Sequence, residues 1–190
     1  MTIIFNKKKP FVEGGCLNKL TSKIRTPFYV YSQKCIADNY NKISKSLNAN
    51  IFYSVKANSN QAILSFMGSL GAGADVVSYG ELKRALLAGI NPKKIIFEGV
   101  GKSKSDIEFA IKKNIRQINI ESLEELEMIN NLSLSLSLKY KVALGIRLNP
   151  DIKANTIDKI ATGRKTDKFG ITHNLLPSAC KIINKNNNII

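Results

Sequence analysis

After residue 26 the chain alternates between two spacings of apolar positions. Short, β-rich apolar runs occupy 51–55, 74–78, 95–100, 117–120 and 142–148, and their starts lie 23, 21, 22 and 25 residues apart. Between them apolar residues fall at helical spacing, as at Leu82, Ala85 and Leu86, or Ile107, Ala110 and Ile111. Another helix is marked by Ile36, Tyr40, Ile43 and Leu47, with Ser32 as its N-cap. Hydroxyls and carboxylates at Ser103, Asp106, Ser122, Glu124 and Glu125 stand where helix starts need them. Strands alternating with helices at this pitch predict βα units around a parallel sheet, as a (β/α)8 barrel or a doubly wound sheet. The continuously apolar runs predict that both sheet faces are covered. Two stretches read differently. Residues 132–138 alternate Leu and Ser, which suits a strand or a low-complexity insertion in a connection. The Asn-rich tail closes on Ile189 and Ile190, where a further strand begins.

Composition narrows the class. A chain of 190 residues that is 44% apolar suits one globular domain and is too apolar for disorder. No apolar run approaches the roughly 20 residues of a membrane helix. Charge follows the first apolar stretch, the reverse of a secretory signal, so the expected location is cytoplasmic. Three cysteines without a CxxC pair fit reduced thiols. His173 is the only histidine, which excludes zinc sites built on paired histidines; no metal is expected. The formal charge of +15 comes from 24 lysines but only 5 arginines, scattered along the chain and without tryptophan. Lys, Asn and Ile share A/T-rich codons, so this charge reads as codon bias and no nucleic-acid partner is expected.

In α/β sheets reactive groups gather at the carboxyl ends of strands. That rule selects Lys56, then Asp75 and Ser78, the loop 99–103, Glu121, and Arg147 with Asn149. A lysine after a buried strand is the unusual member. Burial would lower its pKa and suit Schiff-base chemistry; the alternative is a strand-end lysine reaching solvent. Asp75 pairs with a cation or closes a turn. The 99–103 loop lacks the spacing of a nucleotide P-loop but offers amides to an anion. Glu121 reads as a helix N-terminal carboxylate, and His173 as a surface or capping residue.

The segment Tyr53-Ser54-Val55-Lys56-Ala57-Asn58 resembles the diaminopimelate decarboxylases, a family of fold-type III pyridoxal phosphate enzymes. The likeness continues in order through Arg25–Tyr31, Gly71–Leu82, Arg147–Asp151 and Thr162–Gly170. It implies a partial (β/α)8 TIM-type barrel of about five to six of the eight strands, with the C-terminal β domain absent. Residues 1–26 would be a lead-in segment and 27–190 an incomplete pyridoxal phosphate-binding barrel domain. By the same resemblance Lys56 is catalytic and holds pyridoxal 5'-phosphate as a Schiff base. Asp75 orients or charge-balances that lysine, and Arg147 lies beside the cofactor ring. The implied reaction removes CO2 from the D-centre of meso-2,6-diaminopimelate, an amino-acid substrate, to give L-lysine. The complete enzyme would be a homodimer with no membrane partner.

Departures from the family accompany this. Thr156 is followed by Ile157 where the family carries a Thr-His pair. The family's cofactor-stacking histidine, glycine-rich phosphate loop and Glu-Pro-Gly-Arg turn have no counterpart here. The 190 residues are therefore expected to be a truncated or split N-terminal part with little activity alone. Alternatives are another basic amino-acid decarboxylase, acting on ornithine or arginine, and a non-catalytic pyridoxal phosphate carrier.

Overall fold

The computed structural model describes residues 3–22, 24–152, 163–164 and 169–190. It forms two compact units, Met1–Asn50 and Ile51–Ile190. In the first, β1 (Ile4–Asn6), β2 (Lys9–Val12) and β3 (Gly15–Cys16) make an antiparallel sheet, followed by α1 (Leu17–Thr21) and α2 (Gln33–Ser46). The Ser32 hydroxyl accepts from the Cys35 amide at 2.9 Å, so the expected N-cap starts α2.

The second unit carries the repeating pattern. Strands β4 (Phe52–Ser54), β5 (Gly73–Val76), β6 (Ile95–Phe97), β7 (Gln117–Ile120) and β8 (Leu144–Ile146) form an all-parallel sheet in sequence order. Helices α3 (Gln61–Ser69), α4 (Tyr79–Leu87), α5 (Lys104–Lys112) and α6 (Leu123–Ser135) make the crossovers. Short β9 (Leu148–Asn149) pairs in parallel with β10 (Ile171–Thr172), ahead of α7 (Leu176–Asn184). A doubly wound sheet reverses its strand order and carries helices on both faces. This sheet runs without reversal, so five consecutive units of an α/β barrel remain of the two expected architectures. Ile189 lies parallel to Val142, with the Leu144 amide donating to the Ile190 carbonyl at 2.9 Å. The strand expected at the tail therefore starts along the edge beside β8.

One face of the sheet builds the core. Val55, Ala74, Val76, Ile95, Phe97, Ile118 and Ile120 are buried with Leu64, Leu82, Ile107, Ala110, Leu126 and Ile129 of the helices. Each such Ile, Leu or Phe contributes about 1.5–3 kcal/mol. The alternate positions carry polar side chains. Ser54, Asp75 and Gln117 stand in register across the strands with Ile96 as the one apolar member, and all four are only half-buried. The expectation of two covered faces is thus corrected. In strands of three or four residues the inward and outward sets interleave, and only the outward set is uniformly apolar.

The Leu-Ser alternation at 132–138 is also corrected: its first half is the last turn of α6. Leu132 and Ser133 are buried while Leu134 is exposed. The serine is tolerated inside because the buried Asn186 amide donates to its Oγ at 2.8 Å, and Asn188 donates to its carbonyl. Period two is compatible with a helix here because Leu132 and Leu136 also stand four apart.

Gly73 is required by close approach. A Cβ there would lie 2.4 Å from the Lys94 carbonyl oxygen and 2.5 Å from the Phe52 ring. We expect Gly73→Ala to cost about 2–3 kcal/mol, read as a lower urea midpoint with unchanged slope. An unshifted midpoint would contradict this packing.

Tyr140 ties the approach to β8 onto α5 by donating its hydroxyl proton to the Ile111 carbonyl. Burial raises its pKa, because the folded state favours the neutral phenol. Its contribution is complete below the ordinary tyrosine value of about 10 and is lost as pH rises through the folded-state value. Tyr140→Phe should cost about 1 kcal/mol at neutral pH. The wild-type advantage should shrink in strong alkali, checked by denaturant titrations at both pH values.

Candidate active site

The carboxyl ends of the strands gather the polar side chains. Lys56 lies in a 3-10 turn, Val55–Ala57, that follows β4 directly. Val55 is fully buried and anchors the turn. The Tyr53 hydroxyl donates to the Asn58 carbonyl, and the Asn60 side chain caps α3. Lys56 itself is exposed, which fits the strand-end lysine reaching solvent that the sequence left open beside a buried amine. Its amine has no hydrogen-bond or ion-pair partner among the described residues.

Asp75 stands beside this turn on β5, in register with Ser54. Its Oδ2 accepts from the Ser54 hydroxyl at 2.6 Å. Its Oδ1 is buried and has no hydrogen-bond partner among the described residues. An ionised oxygen left so is expensive unless a donor arrives from elsewhere.

Further along the sheet the side chains bind each other. Asn119 donates to Glu98 at 2.8 Å and accepts from Gln117 at 2.5 Å. Gly145 opposite makes room, since a Cβ there would lie 2.1 Å from Asn119 Oδ1. Beyond them Glu121, only 4% exposed, receives three donors. Its Oε1 accepts from the Gly99 amide and from Arg147 Nη1, both at 3.1 Å, and its Oε2 from the Gly170 amide at 3.2 Å. The Arg147 guanidinium carbon also sits 4.7 Å from the centre of the Phe169 ring. Asn149 closes the neighbouring turn by donating to the Arg164 and Phe169 carbonyls.

A second ionic layer lies behind. Lys102, with a fully buried side chain, has its Nζ 2.7 Å from Glu125 Oε1 and donates to the Gly99 carbonyl. Glu125 Oε2 accepts from the Glu121 amide. The 99–103 loop thus spends the Gly99 amide on Glu121 and its lysine on Glu125. Ser103 caps α5 in a reciprocal box with Asp106, as expected.

Lys56 therefore follows β4, Asp75 lies on the adjacent β5, and Arg147 follows β8 three strands further on. The strand-end rule also found Glu121, which stands directly after β7 and one residue ahead of Ser122, the cap of α6, at the helix N-terminal end as expected. What the sequence did not show is that its carboxylate is taken by Gly99, Arg147 and Gly170. His173 is exposed, in agreement with its reading as a surface residue. The segment with Thr156 and Ile157, together with Thr162 and 165–168, lies outside the described residues. No disulfide joins Cys16, Cys35 and Cys180. Among the described residues there is no cluster fit for a metal ion, and no helix is long and apolar enough to cross a membrane.

A parallel α/β sheet with a free lysine at one strand end and polar groups along its open face is the arrangement of a barrel enzyme's mouth. Residues 33–189 match the family described as pyridoxal-dependent decarboxylase, pyridoxal binding domain, and the chain belongs to that family. Among curated relatives, the diaminopimelate decarboxylase of Helicobacter pylori strain J99 is 47% identical over 156 residues, covering 80% of this chain and 38% of its own length. The crystal structure of diaminopimelate decarboxylase from Helicobacter pylori complexed with L-lysine superposes with a TM-score of 0.85 at 39% identity, covering 91% of this chain and 44% of that one. The M. jannaschii enzyme in co-complex with L-lysine gives 0.84 at 34% identity, covering 99% and 45%. The chain thus spans about two fifths of the length of its relatives.

Proposed function

We propose that this chain supplies the lysine-bearing part of a pyridoxal phosphate-dependent decarboxylase that converts meso-2,6-diaminopimelate to L-lysine. The observation that carries this reading is the pairing of an unpartnered Lys56 amine with an unpartnered Asp75 oxygen at the ends of two adjacent strands. An aldehyde-bearing cofactor suits both groups: the amine can bond its aldehyde carbon, and the carboxylate oxygen can accept from an N–H at that bond. The similarity to diaminopimelate decarboxylases supports the substrate.

The bound cofactor supplies an electron sink for the charge left at the substrate carbon when CO2 departs. Lys56 would hold the cofactor by its Nζ at the aldehyde, Asp75 would offer Oδ1 to a proton on that nitrogen and keep the lysine oriented, and Arg147 would stand beside the cofactor ring. We assign 27–190 to the cofactor-binding region and 1–26 to a lead-in, and place the enzyme in the cytoplasm as a homodimer. The test is a panel of meso-diaminopimelate, ornithine and arginine offered to the full-length protein with pyridoxal phosphate. CO2 and L-lysine from the first substrate are expected. Turnover of ornithine or arginine instead would move the substrate assignment, and cofactor binding without turnover of any would leave a carrier.

A further inference from the structure

Arg147 has a partner that the reaction scheme does not explain. We propose that Glu121 is a positioning residue: its buried carboxylate fixes the Arg147 guanidinium at the site and clamps two loops around it. This rests on the placement of Arg147 beside the cofactor in the function proposed above.

Three segments far apart in sequence converge on this carboxylate. The Gly99 amide comes from 22 residues upstream, Arg147 from 26 downstream and the Gly170 amide from 49 downstream. A carboxylate can take all three donors, since both its oxygens are acceptors. A glutamine would present an NH2 to one of the donors. Glu121 also sits just ahead of α6, whose N-terminal end favours negative charge, and its own amide is held by Glu125. The carboxylate is therefore fixed before the arginine docks on it.

Arg147 behaves as a group held for use. Its side chain remains 34% exposed although Glu121 is 3% exposed. The Phe169 ring takes one face of the guanidinium and Glu121 takes Nη1. A planar guanidinium carries five N–H donors, and among the described residues Glu121 takes one of them. Holding the long side chain beforehand removes part of the ordering cost of binding.

The test uses Glu121→Gln, which keeps shape and removes charge, and Glu121→Asp, which keeps charge. With only five arginines in the chain, the Arg147 guanidinium signals are resolvable by 15N NMR. We expect restricted guanidinium rotation in the wild type, free rotation in Glu121→Gln and recovery of restriction in Glu121→Asp. Glu121→Gln and Arg147→Met should each weaken pyridoxal phosphate binding by about tenfold, the loss of one charge-assisted contact. The double variant should bind no more weakly than Arg147→Met. The proposal is overturned if Glu121→Gln lowers only the melting temperature and leaves the Arg147 signals unchanged, or if the two substitutions weaken binding additively. Should the wild-type full-length protein take up no pyridoxal phosphate, the proposed function fails, while the Arg147 signals alone still decide the clamp.

Discussion

Lys56→Ala in the full-length protein is expected to abolish decarboxylation of meso-diaminopimelate while leaving the fold in place. The side chain is exposed and makes no contact that folding uses, so the stability change should stay within about 0.5 kcal/mol. Its amine is the group proposed to bond the cofactor aldehyde. Losing it should cost on the order of a thousandfold or more in kcat. Lys56→Arg should be equally inactive, because a guanidinium stays protonated and is no nucleophile. CO2 release, protein-bound cofactor absorbance and a melting curve together decide the matter. Residual activity near the wild-type level in either variant would remove Lys56 from the mechanism.

Lys102→Met is expected to show the opposite profile, a large loss of stability through a residue that touches no reacting group. The Lys102 side chain is fully buried and Glu125 nearly so. Glu125 Oε1 makes no well-aligned hydrogen bond, so its contact with Lys102 is charge against charge. Removing the lysine leaves that charge buried and uncompensated, which costs about 3–5 kcal/mol. The additional change Glu125→Leu should restore part of this by removing the stranded carboxylate. Full restoration is not expected, because Glu125 Oε2 also holds the Glu121 amide. Chemical denaturation of the single and double variants measures the difference. A loss below about 1 kcal/mol for Lys102→Met would mean that water reaches the pair.

The legible parts of the fold were those governed by neighbours in sequence. Strand positions followed from β-branched runs at regular pitch, and the Ser32, Ser103 and Ser122 caps from short side chains ahead of apolar spacing. Lys56 could be placed at a strand end because one run stops there. Its exposure was not legible, since a run's burial says nothing about the turn that follows it. The 132–138 alternation misled for a related reason. Leu132 and Leu136 satisfy a helix as well as a strand, and the decision came from Asn186, more than fifty residues away.

What the sequence determined by itself is the order of βα units, the helix starts and the lysine that a cofactor aldehyde would need. These depend on periodicity and on contacts within one turn, which the local chain encodes. Only the tertiary structure decided that one sheet face is largely polar, that Asp75 keeps a buried oxygen without a partner among the described residues, and that Glu121 joins Gly99, Arg147 and Gly170. Those features arise where segments separated by 20 to 50 residues meet across parallel strands. A buried charge is settled by whichever donors the fold brings within about 3 Å, and no local pattern specifies them.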